Sequence, residues 1–503
     1  MKTQEKCITV RAGDSAQFRN LTSLCVGTGR LDLALHGEYQ RQLRAVQDMC
    51  HFRYIRGHGI FSDQMGICQV QMDGEGRRHT EYCFTYLDRV MDAYLGCGLR
   101  PFLELGFMPA ALTDSQNTLF YWKAHTAPPR EMDEWTALVR ATLSHLARRY
   151  GEKEVSGWPC EIWNEPNLPG FWENADKKKY LELYRATVQA IKDVLPDMRV
   201  GGPAICGGTG SQEWIADFLA FCRDENVPVD FVTRHAYMAQ TPERRGRYLY
   251  HRMSPVRDLI AEMRESRRIM DSFPEYRGMP MYITEFNTSY SPFCPIHDTD
   301  LNAVTCAALL GSLGDVADGY SYWTFGDVFE EQGIPSRPFH GGFGMMANGL
   351  IPKPTLWAFS FFSKLQGEPV YRDECAVLVR REDGGYEGVL WNLCEDGERK
   401  LEITLSVPME AASALAERVD EKTCNPLRAW HEMGEPADLD PEQLAFLRAA
   451  GQPAAETLSA EVRDGIAVIR LELEKNALVH LRVLPVKRQR DEGYDYSYYC
   501  GED

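Results

Sequence analysis

Trp163-Asn164-Glu165-Pro166 and Ile283-Thr284-Glu285-Phe286-Asn287 each place a glutamate where a strand-like apolar run ends. The two glutamates are 120 residues apart, a distance spanned by three strand-helix repeats of about forty residues each. Reading outward for short β-type runs gives eight: around Leu24–Gly27, Arg53–Arg56, Pro101–Leu105, Cys160–Trp163, Arg199–Gly202, Asp230–Thr233, Met281–Thr284 and Gly319–Trp323. Each is followed by a stretch able to form a helix. The clearest are Glu131–Tyr150 and Tyr180–Val194, the second stopped by Pro196. Eight such units predict an α/β fold, a closed (β/α)8 TIM barrel. Loops at the C-terminal ends of barrel strands converge on one mouth. Glu165, after the fourth strand, and Glu285, on the seventh, are therefore expected to meet there, with Pro166 helping to end the fourth strand.

Beyond about Pro352 the pattern changes. Cys375–Arg380, Tyr386–Trp391, Leu401–Leu405, Ile466–Leu473 and Leu478–Leu484 alternate or run apolar between turn-like segments, without regular helices. That pattern predicts an accessory antiparallel β-sandwich. The expected division is a barrel over 15–345 and a sandwich built from 1–14 plus 346–503, with Cys7–Val10 pairing into the sandwich. A short helical insertion is expected near 440–450, where Asp440 caps and Pro441 opens a helix. The polar tail from Val486 reads as a loose segment or interaction arm.

The 503 residues carry a net charge of −18, which disfavours nucleic acid and anionic membranes as partners. No run of 18 apolar residues and no signal-like N-terminus occurs, so a soluble, cytoplasmic protein is expected. The 15 cysteines lack a CxxC pair and several fall inside apolar runs, as reduced core residues do. No His, Cys and Asp cluster has metal-ligand spacing, and Gly201-Gly202 and Gly207-Gly208 lack the pattern of a nucleotide cradle. No cofactor or metal is expected.

A lone glutamate at a strand end ordinarily faces water. Two that meet across one mouth match the demand of glycosidic bond hydrolysis with retention, which uses carboxyl groups about 5–5.5 Å apart, one protonated and one ionised. Around them stand RYIRGHG (Arg53–Gly59), LELGFMP (Leu103–Pro109), EIWNEPNLPGFW (Glu161–Trp172), DFVTRHAY (Asp230–Tyr237), YITEFNTSYSP (Tyr282–Pro292), SYWTFGDVFEE (Ser321–Glu331) and FHGGFG (Phe339–Gly344). In this order, and across nearly the whole chain, these segments resemble the β-xylosidases of glycoside hydrolase family 39.

The resemblance implies Glu165 as acid/base and Glu285 as nucleophile of a retaining exo-β-xylosidase acting on short β-1,4-xylo-oligosaccharides. The residues agree with it. Asn164 is placed to bond the sugar 2-hydroxyl. His235 and Tyr237, alternate on one strand, share a face, so Tyr237 is expected to donate to Glu285 and His235 to meet a hydroxyl. Arg56 is expected to hold Glu285 ionised and His58 to bind sugar. Trp323 is expected as the floor under the ring, and Phe120 as part of the pocket wall. The family's strand-eight loop carries Glu330 and Glu331 over as sugar-binding carboxylates. The resemblance also implies a homo-oligomer such as a tetramer. The alternatives are another sugar specificity within the family (β-galactosidase, α-L-arabinopyranosidase or α-L-iduronidase-like) and a non-catalytic sugar-binding relative.

Overall fold

All eight apolar runs become parallel strands of one closed barrel. The computed structural model describes residues 4–208, 210–393, 399–407 and 411–487, with 493, 495 and 497–500 of the tail. The expected interaction arm therefore lies largely outside the described residues. In order the barrel strands are Cys25–Arg30, Tyr54–His58, Arg100–Leu105, Cys160–Ile162, Val200–Ile205, Phe231–Tyr237, Met281–Asn287 and Gly319–Tyr322. The ring closes where Ser321 pairs with Cys25 and Tyr322 with Val26.

The strands are almost wholly buried, which is why they read as continuous apolar runs rather than alternating ones. Close approach inside the ring explains two glycines. A Cβ on Gly27 would stand 2.6 Å from the Trp323 ring, and one on Gly201 would stand 2.2 Å from the Phe231 ring. Helices cover the outside by the ordinary amphipathic rule. Lys177–Val194 turns Tyr180, Leu183, Tyr184, Val188 and Ile191 inward. It starts three residues ahead of the expected Tyr180, because the Asp176 side chain accepts from the Lys179 amide and caps the first turn.

The fourth strand ends at Ile162, three residues before Glu165, so Pro166 is not what stops it. Trp163 (φ 69°) and Glu165 (φ 45°) leave the extended conformation. Backbone bonds from Trp163 to Leu105 and from Glu165 to Ala204 still tie the segment to both neighbouring strands. Non-glycine residues held at positive φ cost on the order of 1–3 kcal/mol each and gather at functional sites.

The chain divides into two compact units: 18–363 with 419–453, and 1–17 with 364–418 and 454–503. This differs from the expected boundary at 345 in two ways. Pro354–Lys364, the helix after strand eight, packs Phe359 against Phe286 and Tyr322 of the barrel. The insertion also clusters with the barrel. It holds the expected helix, Pro441–Ala450, with Asp440 and Gln443 forming a capping box, and a second one, Pro426–Glu432. Trp430 and Leu447 of these helices bury against Phe339, Ala347 and Ile351.

The other unit is a sandwich. One sheet orders Gln4–Val10, Arg399–Ser406, Ile466–Leu473 and Ala460–Arg463; the second has six strands, from Glu368–Arg372 to Ala454–Leu458. Ile8, Leu401, Ile403 and Ile469 of the first sheet share a core with Leu378, Leu390, Val479 and Leu481 of the second. Gln4–Val10 joins as expected, but runs parallel to Arg399–Ser406. Among the described residues no helix is long and apolar enough to cross a membrane. The 13 cysteines whose side chains are described, from Cys7 to Cys424, are free thiols.

Candidate active site

Arg56, on the second strand, is fully buried and organises the floor of the barrel mouth. Its Nε donates to Glu161 Oε2 at 2.7 Å, Nη1 to Glu285 Oε1 at 2.6 Å and Nη2 to Asn164 Oδ1 at 2.7 Å. Glu104 Oε2 lies 2.9 Å from Nη2. Glu104 and Glu161 were not singled out in the sequence. Their signal was a charged residue inside an apolar strand, which has to find a buried partner.

Glu285 accepts a second bond from Tyr237 Oη, at 2.6 Å. Its strand pairs with the sixth so that His235 stands opposite Glu285. His235 Nδ1 lies 2.7 Å from Glu165 Oε1 and 3.5 Å from Glu285 Oε2. Burial, with help from the Arg56 charge, pushes the imidazole well below its ordinary value, so His235 is neutral. Burial pushes the Glu165 carboxyl well above the carboxylate range, and the neighbouring Glu285 charge adds to the shift.

Oxygens of Glu165 and Glu285 and a nitrogen of His235 lie within 4.8 Å of one another. Such a group offers three donor atoms to a metal. Here Glu285 already accepts from Arg56 on Oε1 and from Tyr237 on Oε2, and His235 Nδ1 is engaged by Glu165. The set suits proton transfer.

These side chains open into a cavity of about 510 Å³. It brings together Asn164, Glu165, His58, His235, Tyr237 and Glu285, along with Trp323 and Glu331. His58 Nδ1 is held by Glu104 Oε2 at 2.7 Å, and its ring lies 4.6 Å from Trp323. Burial pushes Glu331 well above the carboxylate range, with the charges of Glu285 and Glu165 adding to it.

Three expected sugar-binding residues are placed differently. Arg56 does not line the cavity; it bonds Glu285 and Asn164, which do, and its guanidinium lies 6.0 Å from the Trp323 ring. Glu330 is paired with Arg30 and does not line the cavity, whereas Glu331, one residue on, does. Phe120 stacks behind His58 at 6.2 Å, backing the wall rather than forming it.

The model of glycosyl hydrolases family 39 matches residues 7–467. A β-xylosidase of Geobacillus stearothermophilus is 43% identical over 99% of this chain and 98% of its own length. One of Caldicellulosiruptor saccharolyticus is 34% identical over 90% and 93%. The crystal structure of a monomeric β-xylosidase from Caulobacter crescentus CB15 superposes with a TM-score of 0.86 at 32% identity, covering 96% of this chain and 100% of that one. A match along nearly the whole chain, on a barrel whose mouth holds a close pair of glutamates, has one conclusion: the chain belongs to glycosyl hydrolases family 39.

Proposed function

We propose that the protein is a retaining exo-β-xylosidase in which Glu285 is the nucleophile and Glu165 the acid/base. The observation that carries this reading is the pair of carboxyl groups, close enough to have oxygens within 4.8 Å yet set in opposite surroundings. Inverting enzymes hold theirs about 6.5–9.5 Å apart to admit a water. Glu285 attacks the anomeric carbon while Glu165 gives its proton to the departing oxygen. Glu165, now ionised, takes a proton from water, which displaces Glu285 and returns a sugar of the original anomeric configuration.

Xylose as the sugar is supported by the two β-xylosidases at 43% and 34% identity. The described residues lining the cavity include no Lys or Arg, which suits a neutral sugar better than a uronide. Asn164 is assigned to the 2-hydroxyl, because Arg56 occupies its Oδ1 and leaves the amide nitrogen to donate. His58 and Glu331 are assigned to the remaining hydroxyls, and Trp323 to the apolar face of the ring. The reading includes a cytoplasmic setting, which free thiols suit. It also includes a homo-oligomer, for light scattering to test against the monomeric Caulobacter relative.

Proton NMR of the first turnovers on p-nitrophenyl β-D-xylopyranoside tests the reaction. β-Xylose is expected before mutarotation; α-xylose as first product, or no release, contradicts the reading.

A further inference from the structure

The cavity has a second side that the two displacements do not use. His58, Trp323 and Glu331 gather beside Glu285, and the lining also includes Leu168, Cys206, Gly207, Ser254, Glu262 and Tyr290. The Cys206 backbone is tied by two hydrogen bonds to Asn167, two residues past Glu165, and a Cβ on Gly207 would stand 3.1 Å from Glu262 Oε1. The wall thus runs from the acid to Glu262. If Glu165 protonates the oxygen joining the two sugars, the departing sugar lies along this wall.

Two side chains there are built for a ligand. Glu262, on the helix Val256–Ser272, has Oε1 pinned by Nη2 of Arg234, which is fully buried and whose Nη1 donates to Ser266 Oγ and Nε to the His235 carbonyl. Among the described residues Glu262 is the ion-pair partner of that guanidinium, yet its own side chain is 32% exposed. Burying the arginine costs desolvation, which its bonds to Glu262 and Ser266 offset, and the same bonds hold the Glu262 carboxylate in place. Oε2 has no partner among the described residues and remains an acceptor. Tyr290 is 49% exposed, its ring propped edge to face by His251 at 4.7 Å and standing 6.5 Å from the Tyr237 ring, and it lines the same cavity.

We propose that Glu262 and Tyr290 form the binding site for the leaving sugar, a neutral pyranose. Its hydroxyls donate to Glu262 Oε2 and its apolar face lies on the Tyr290 ring. This rests on the xylosidase reading above.

The test compares xylobiose, whose leaving group fills the site, with β-D-xylopyranosyl fluoride, whose leaving group does not. The readout is the ratio of kcat/KM for the two substrates, in the full chain. Glu262→Gln, which keeps an oxygen for Arg234, is expected to lower that ratio about tenfold or more. Tyr290→Ala, at an exposed position, is expected to lower it severalfold. A role limited to holding Arg234 would lower both rates alike, and a ratio unchanged in both variants overturns the proposal. If the wild type cleaves neither substrate, the xylosidase reading itself fails. If the wild type cleaves both while the variants keep the ratio, the leaving-sugar assignment alone fails.

Discussion

Arg56 carries the electrostatics of the mouth, since one buried guanidinium faces Glu104, Glu161 and Glu285 at 2.6–2.9 Å. Glu165 lies outside this set and bears the consequence: burial and the Glu285 charge keep it protonated above the ordinary range. A carboxyl whose value is raised by folding holds its proton more tightly in the native chain. Its contribution is intact below the unfolded value of about 4.5 and is lost as pH rises through the folded value. Glu165→Gln, uncharged at every pH, is therefore expected to match the wild-type melting temperature near pH 4 and to exceed it increasingly toward pH 8. A difference that does not grow with pH contradicts this assignment of the proton. At this scale the sequence marked the residues on strand ends, because position on a strand fixes direction: His235 and Tyr237 alternate and both face the cavity. It could not separate Glu330 from Glu331. They sit in a loop without a period, and which one turns inward depends on Arg30, 300 residues away from Glu330.

Among elements, the two sheet types were readable for different reasons. Barrel strands are buried on both faces and appear as apolar runs. Arg399–Ser406 alternates, with Leu401, Ile403 and Leu405 buried between partly exposed residues. Ile403 is fully buried in the shared core of the sandwich. Ile403→Ala is expected to destabilise this unit by about 2–5 kcal/mol and Ile403→Val by about 0.5–1.5 kcal/mol. Urea titration checks this, and an alanine variant within experimental error of wild type contradicts the placement. What went unread was short and polar. The hairpin Cys68–Met72 with Arg78–Tyr82 is mostly exposed and has no apolar period to betray it. Pro426–Glu432 is only seven residues long, too short for a helical period to stand out.

For the whole molecule, the eight-unit barrel was legible because strand and helix alternate at regular spacing. The edges of the units were not. A boundary is set by which surface a segment buries, and the helices of 419–453 resemble an insertion in the sandwich until Trp430 and Leu447 are seen to pack on Phe339 and Ile351. A family barrel supports many chemistries, so the activity rests on the two glutamates rather than on the fold. Their roles are separable by chemical rescue on p-nitrophenyl β-D-xylopyranoside. Azide should restore turnover to Glu285→Ala by attacking in place of the missing nucleophile, giving α-xylosyl azide. In Glu165→Ala it should intercept the intermediate on Glu285, giving β-xylosyl azide. The same anomer from both variants, or unaided wild-type activity in either, would contradict the assignment.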